Sequence, residues 1–223
     1  SYQAVVSGYP LEPEAPAVGF EIVPPPGGTL GPAVQISPDG RKLAFIFVSE
    51  GKRLIWIRRL DSLTAEPLPS TEGVSFATAS GNIFWSPDSQ YLGFFAENKL
   101  RKVAATGGPS QVLSDAGSSG TGTWNQDSVI LYTKPGSAPV IYRVSAAGGT
   151  SAPMTELDAS RKEATHRYPY FLPDGRHYFF WAPSIDLQNN QAWIGTLDSN
   201  ERLPLPGIAS EVKYSPTGHV VFM

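Results

Sequence analysis

The chain has 223 residues, including 22 glycines, 21 prolines and no cysteine, and its charged fraction of 17% lies below the roughly 25% usual in globular proteins. That length supports one or two domains with a substantial core, and a composition rich in turn formers suits an all-β fold. A net charge of −3 argues against nucleic-acid binding, which needs clustered lysine and arginine; lack of cysteine removes disulfides and thiolate zinc sites; no apolar run approaches the roughly 18 residues of a membrane span.

The N-terminal segment, 1–19, is read as an arm with a proline-rich spacer. Tyr2-Gln3-Ala4-Val5-Val6 has the apolar character of a strand. The ten residues Gly8–Ala17 that follow are too long and proline-rich for a hairpin, and at about 3.1 Å per residue in polyproline II they span about 30 Å. Tyr2, Gln3, Ala4, Val5 and Val6 are therefore the candidate assembly arm, able to add a strand to the sheet of a neighbouring copy. The competing reading is a tether, and from the start at Ser1 rather than Met an upstream segment, cleaved or left out, is expected. A second strand is expected at Phe20-Glu21-Ile22-Val23.

From residue 20 onward the chain repeats. Five polar turns interrupt apolar runs, at Ser37-Pro38-Asp39-Gly40, Ser86-Pro87-Asp88-Ser89, Asn125-Gln126-Asp127-Ser128, Leu172-Pro173-Asp174-Gly175 and Ser215-Pro216-Thr217-Gly218. Their second positions, 38, 87, 126, 173 and 216, are spaced by 49, 39, 47 and 43 residues, one four-stranded propeller blade per repeat. Proline presets φ at the second position of such a turn, aspartate suits the third, and glycine accepts a positive φ afterwards. The turn aspartates are expected to cap the turns rather than hold calcium.

Strands are predicted after each turn, at Lys42–Phe47, Tyr91–Phe95, Val129–Tyr132, His177–Trp181 and His219–Phe222, as second strands buried on both faces. Alternating third strands follow at Leu54–Ile57, Leu100–Val103, Val140–Val144 and Ala192–Leu197. Fourth strands at Ala65–Leu68, Ser110–Leu113, Ser151–Met154 and Glu201–Leu205 are weaker and richer in proline, carried by all but Ser110–Leu113, and proline belongs on an edge. The five tryptophans, Trp56, Trp85, Trp124, Trp181 and Trp193, are expected in the core between blades.

The repeats thus lie near 34–75, 82–115, 121–157 and 166–206, with a partial blade at 210–223. Completion of that blade by the N-terminal strands gives an all-β, five-bladed propeller of four-stranded antiparallel blades; a piece of a larger six- or seven-bladed ring is the alternative.

The Ser-Pro-Asp-Gly turn, followed by a basic residue and an aromatic strand, together with Ala105-Thr106-Gly107-Gly108 and Ala146-Ala147-Gly148-Gly149 before the outer strand, resembles the WD-type propeller repeats of TolB-like proteins over roughly 20–223. Phe20–Gly27 and Thr165–His177 are similar, more narrowly, to propeller domains attached outside the membrane to some bacterial serine/threonine kinases. The resemblance implies a propeller fold and an extracytoplasmic location.

No enzyme motif stands out. Gly117-Ser118-Ser119-Gly120-Thr121 falls short of a nucleophile elbow, and no phosphate or dinucleotide fingerprint occurs. Of the three histidines, His177 and His219 follow turns and read as surface or packing residues. His166 precedes the first strand of its blade; beside Arg167 and Tyr168 it forms the candidate binding face near the central channel, with a structural hydrogen-bonding role as the alternative. The expected function is a non-enzymatic scaffold binding proteins, its own copies included, without cofactor, metal or nucleic acid; a ligand- or peptide-sensing domain tethered to a signalling kinase is the second expectation.

Overall fold

The computed structural model describes residues 25–75, 83–117, 120–134, 136, 139–215 and 218–222. The predicted arm, Tyr2 to Val6, and the strand Phe20–Val23 lie outside the described residues.

Four antiparallel sheets of four strands follow one another, each with its strands side by side in chain order. The first holds β1 (Gly28–Ile36), β2 (Lys42–Ser49), β3 (Lys52–Arg59) and β4 (Ala65–Leu68). The second holds β5 (Ile83–Trp85), β6 (Tyr91–Ala96), β7 (Lys99–Ala104) and β8 (Gln111–Asp115); the third β9 (Gly122–Trp124), β10 (Val129–Thr133), β11 (Ile141–Ser145) and β12 (Ala152–Pro153). The fourth is built from β13 (Arg167–Phe171), β14 (His177–Ala182), β15 (Gln191–Thr196) and β16 (Ser199–Pro204), and a two-stranded sheet of β17 (Val212–Tyr214) and β18 (Val220–Phe222) comes last. The first strands stand beside one another in sequence, β1 by β5, β5 by β9, β9 by β13 and β13 by β17, so the sheets radiate from a common centre as the blades of a β-propeller.

The first hairpins of the four four-stranded sheets are closed by related local chemistry. Asp39 and Asp88 take hydroxyl donors from Ser37 and Ser86 at 2.5 and 2.6 Å and accept the amides of Arg41 and Gln90 at 3.0 Å. Asp174 accepts those of Arg176 and His177 at 2.9 Å. In the third turn the capping acceptor is Asn125, which takes the amides of Asp127 and Val129 at 3.1 and 2.8 Å. The assignment of that role to Asp127 is therefore corrected: an acceptor at the first turn position already fills the cap. Gly40 and Gly175 both sit at φ 67°, and the equivalent Ser89 and Ser128 adopt 60° and 61°.

The second strands β2, β6, β10 and β14 are buried along most of their length. β18 departs from expectation: Val220, Val221 and Phe222 are 41, 56 and 52% exposed, because β18 pairs with β17 and with no further described strand. Prolines Pro67, Pro153 and Pro204 fall in the outermost strands β4, β12 and β16, where their missing N–H leaves no ladder bond unmade.

The apolar core lies between consecutive sheets. Ile46 and Ile55 of the first sheet meet Ile83, Trp85 and Phe94 of the second; Phe84, Phe95 and Leu100 meet Ile130, Tyr132 and Val144 of the third; Leu131, Ile141 and Met154 meet Phe171, Tyr178, Phe180 and Trp193 of the fourth. Phe179 and Ala192 then pack on Val212 of the last. Trp85, Trp124 and Trp193 join these cores. Trp56 and Trp181 do not: Trp56 packs edge-on against Phe47 of its own sheet, centroids 5.4 Å apart, and Trp181 stacks on Tyr168.

Candidate functional site

The fourth sheet holds the polar and aromatic groups that sequence reasoning singled out, and they divide between two places. Arg167 and Tyr168 open β13, the strand nearest the centre. Here the pairing with β14 slips, from Arg167 opposite Trp181 to Tyr170 opposite Phe179, a bulge of one residue. Tyr168 takes φ 54° within it, a conformation costly for a bulky side chain, and its ring stacks on Trp181 at 6.0 Å with the planes only 12° apart. Arg167 is exposed.

His166, one residue earlier, is 1% exposed. It sits in the connection between β12 and β13, held by its own amide on the Pro139 carbonyl at 2.8 Å and by its ring against Phe180 at 4.9 Å. Thr155 Oγ1 accepts the Ile141 amide at 3.1 Å and shares a hydrogen bond of 2.7 Å with His166 Nδ1. Nε2 donates to Glu163 Oε2 at 3.0 Å. The structure thus separates the predicted trio: Arg167 and Tyr168 stay at the start of the inner strand, while His166 is turned into the space between the third and fourth sheets.

Glu163 is the hub of that buried cluster. Besides His166, its carboxylate accepts the Asp158 amide at 2.8 Å and an Arg202 guanidinium N–H at 3.1 Å, and another contact with Arg202 brings Oε1 to 2.9 Å. Arg202 also reaches Asp158 at 3.4 Å. Burial raises the Glu163 carboxyl pKa, but the hydrogen bonds from His166, Arg202 and Asp158 outweigh it and hold the group below its ordinary value. Asp158 is held low as well, chiefly by the Ser160 hydroxyl.

The fourth sheet places these groups by register. Tyr178, Gly195 and Arg202 lie opposite one another across β14, β15 and β16, as do Phe180, Trp193 and Pro204 two residues along. Both rows therefore share the face turned to the third sheet. Gly195 is required there, since a Cβ would come within 2.6 Å of the Tyr178 ring. The Arg202 guanidinium lies over the Trp193 ring at 4.1 Å and that of Arg161 at 5.3 Å, contacts that retain the cations beside the cluster. A cleft of about 150 Å³ opens next to it, lined by Met154, Thr155, Tyr178, Phe180, Gly195 and Arg202 and rimmed by Glu156, Ser199, Asn200 and Glu201.

A hydroxyl, an imidazole and a carboxylate in line suggest proton relay. In this chain both ends are engaged: Thr155 Oγ1 already accepts an amide, and Glu163 is neutralised by Arg202. Among the described residues no group of three or more His, Cys, Asp or Glu is placed to hold a metal ion, and no helix is long and apolar enough to cross a membrane. Sequence reasoning found His166 but missed Glu163, Asp158 and Arg202. Only the three-residue spacing of Glu163 and His166 carried a local signal.

No protein-family model and no curated protein sequence matches the chain, whereas solved structures do. TolB from Acinetobacter baumannii superposes with a TM-score of 0.65 at 18% identity, over 83% of this chain and 46% of that one. A TolB-type protein from Agrobacterium tumefaciens gives 0.66 at 20%, over 87% and 69%. The β-propeller domain of the Trilobed protease from Pyrococcus furiosus gives 0.58 at 18%, over 85% and 62%. The likeness is one of fold, a TolB-like β-propeller, and the chain spans less than half the length of the Acinetobacter TolB.

Proposed function

We propose that this chain is a non-enzymatic, extracytoplasmic β-propeller that serves as a protein-interaction scaffold and assembles head-to-tail by donating its N-terminal strand. The observation that carries this reading is the edge of β18. Among the described residues four sheets have four strands and the last has two, so the outer edge of β18, with Val220, Val221 and Phe222 exposed, has no described partner strand and offers a template for an added one. The apolar run Tyr2–Val6, on its proline-rich spacer, has the chemistry to fill it. A contact between one copy's arm and another's edge is heterologous, and its repetition builds a ring or a filament. The extracytoplasmic location rests on the resemblance to TolB-like propellers, and the non-enzymatic reading on the closed hydrogen bonding of the Thr155, His166 and Glu163 chain.

Light scattering across a concentration series tests the assembly. The intact chain is expected to form species of several copies, and a chain lacking residues 1–15 to have the mass of one. Equal masses for the two chains overturn strand donation.

A further inference from the structure

The cleft between the third and fourth sheets contains a polar group that the fold leaves unused. Tyr178 is 2% exposed and lines the cleft. Its ring is fixed by Phe171 and Phe180 at 6.3 and 5.9 Å, and its hydroxyl end lies against Gly195, another lining residue. Among the described residues nothing hydrogen-bonds this hydroxyl, although Thr155, His166, Glu163 and Arg202 close by are all paired. The ring is packed away while the hydroxyl, open to the cleft, is free to hydrogen-bond whatever enters it.

The charges around the cleft decide which kind. Arg202 is committed to Glu163 and Asp158, and Arg161 lies 4.0 Å from Glu163, so two guanidiniums balance two carboxylates. Glu156 and Glu201 on the rim have no ion-pair partner among the described residues, which leaves the mouth anionic. Its floor is aromatic and apolar, from Tyr178, Phe180 and Met154. The volume of about 150 Å³ is half the roughly 300 Å³ at which pockets for drug-sized ligands begin, room for a short chain with a polar end.

We infer that this cleft binds an alkylammonium group, carried either by a small free amine or by a lysine side chain. The methylenes lie on Met154 and Phe180, the ammonium faces the aromatic rings and the rim carboxylates of Glu156 and Glu201, and Tyr178 Oη accepts one of its N–H bonds. This binding is independent of strand donation at β18 and stands if the assembly fails.

Isothermal titration of the full chain with n-butylammonium chloride tests the inference, with n-butanol and butyrate as neutral and anionic counterparts and an N-acetyl-lysine amide as the side-chain source. Saturable binding of butylammonium is expected, about tenfold tighter than butanol and weakened about tenfold in the E156Q/E201Q variant. Y178F should weaken it severalfold while leaving the melting temperature unchanged, because its hydroxyl has no structural partner to lose. Binding of the lysine derivative alongside butylammonium identifies the side chain as ligand, and binding of butylammonium alone the free amine. The inference is overturned if butanol binds equally well, if E156Q/E201Q or Y178F binds like the parent, if Y178F melts markedly lower, or if no saturable binding occurs.

Discussion

Glu163 is a carboxylate with no solvent exposure of its side chain, tolerable because His166, Arg202 and the Asp158 amide all donate to it. Removing one partner of a buried pair costs about 3–5 kcal/mol, so Glu163→Ala should lose about that much in urea unfolding at pH 7; a loss below about 1 kcal/mol would show the cluster to be dispensable. Its pH dependence has a definite sign. The folded group is held below its ordinary value, so the unfolded chain binds its proton first; the stability it adds is present above the unfolded carboxylate range, around pH 4, and is lost as the pH falls toward the folded value. The variant should therefore show a shallower loss between pH 5 and 3 on the order of this one group's share. Little of this was legible beforehand: Arg202 is 39 positions from Glu163, and only the sheet register brings it back. A second test at this scale concerns packing. A Cβ on Gly93 would come within 2.3 Å of the Phe84 ring, and overpacking of this kind costs about 1–3 kcal/mol. Gly93→Ala should lower the denaturation midpoint accordingly, with partial recovery when Phe84→Leu is added.

At the scale of the element, the hairpin turns show how far local chemistry determines structure. The strands that follow them were readable because a turn acceptor, a positive φ and an apolar run occur together in one short window. The third turn shows where pattern alone misleads, since Asn125 and Asp127 both qualify as acceptors and only the structure assigns the cap to Asn125. Asn125 also donates to the Gly175 carbonyl at 2.7 Å, tying its turn to that of the next sheet. Asn125→Ala thus leaves two half-buried amides and the buried Gly175 carbonyl unpaired and should cost about 1–3 kcal/mol, whereas Asp127→Ala should stay within about 0.5 kcal/mol. Comparable losses in the two variants, measured by chemical unfolding, would return the cap to Asp127. The bulge in β13 was not legible at all. It depends on Tyr168 accepting a left-handed backbone in return for stacking on Trp181, a partner on the adjacent strand that no window around Tyr168 contains.

For the whole molecule, the repeat period announced one sheet per repeat, with a partial blade at 210–223 also expected, and among the described residues the last sheet has two strands, β17 and β18; which residues of one sheet meet those of the next was not legible, because such contacts join segments far apart in the chain. The arrangement of cores has a consequence for energetics. Each lies between two consecutive sheets, and the cluster containing Ile55 and Ile83 shares no residue with the one containing Ile141. Coupling in such an array runs between nearest neighbours, and substitutions far apart with no common partner add within about 0.3–0.5 kcal/mol. Ile→Val in a buried site costs about 0.5–1.5 kcal/mol, small enough for a double variant to remain folded. Ile55→Val combined with Ile141→Val should therefore lose the sum of the two single losses. Ile55→Val combined with Ile83→Val removes methyl groups from one shared core and should depart from additivity by about 0.5 kcal/mol or more. Urea unfolding of the three single and two double variants decides the matter. Strong coupling between Ile55 and Ile141 would mean that the sheets respond as one rigid body, and additivity of both pairs would mean that even a shared core relaxes independently at its two ends.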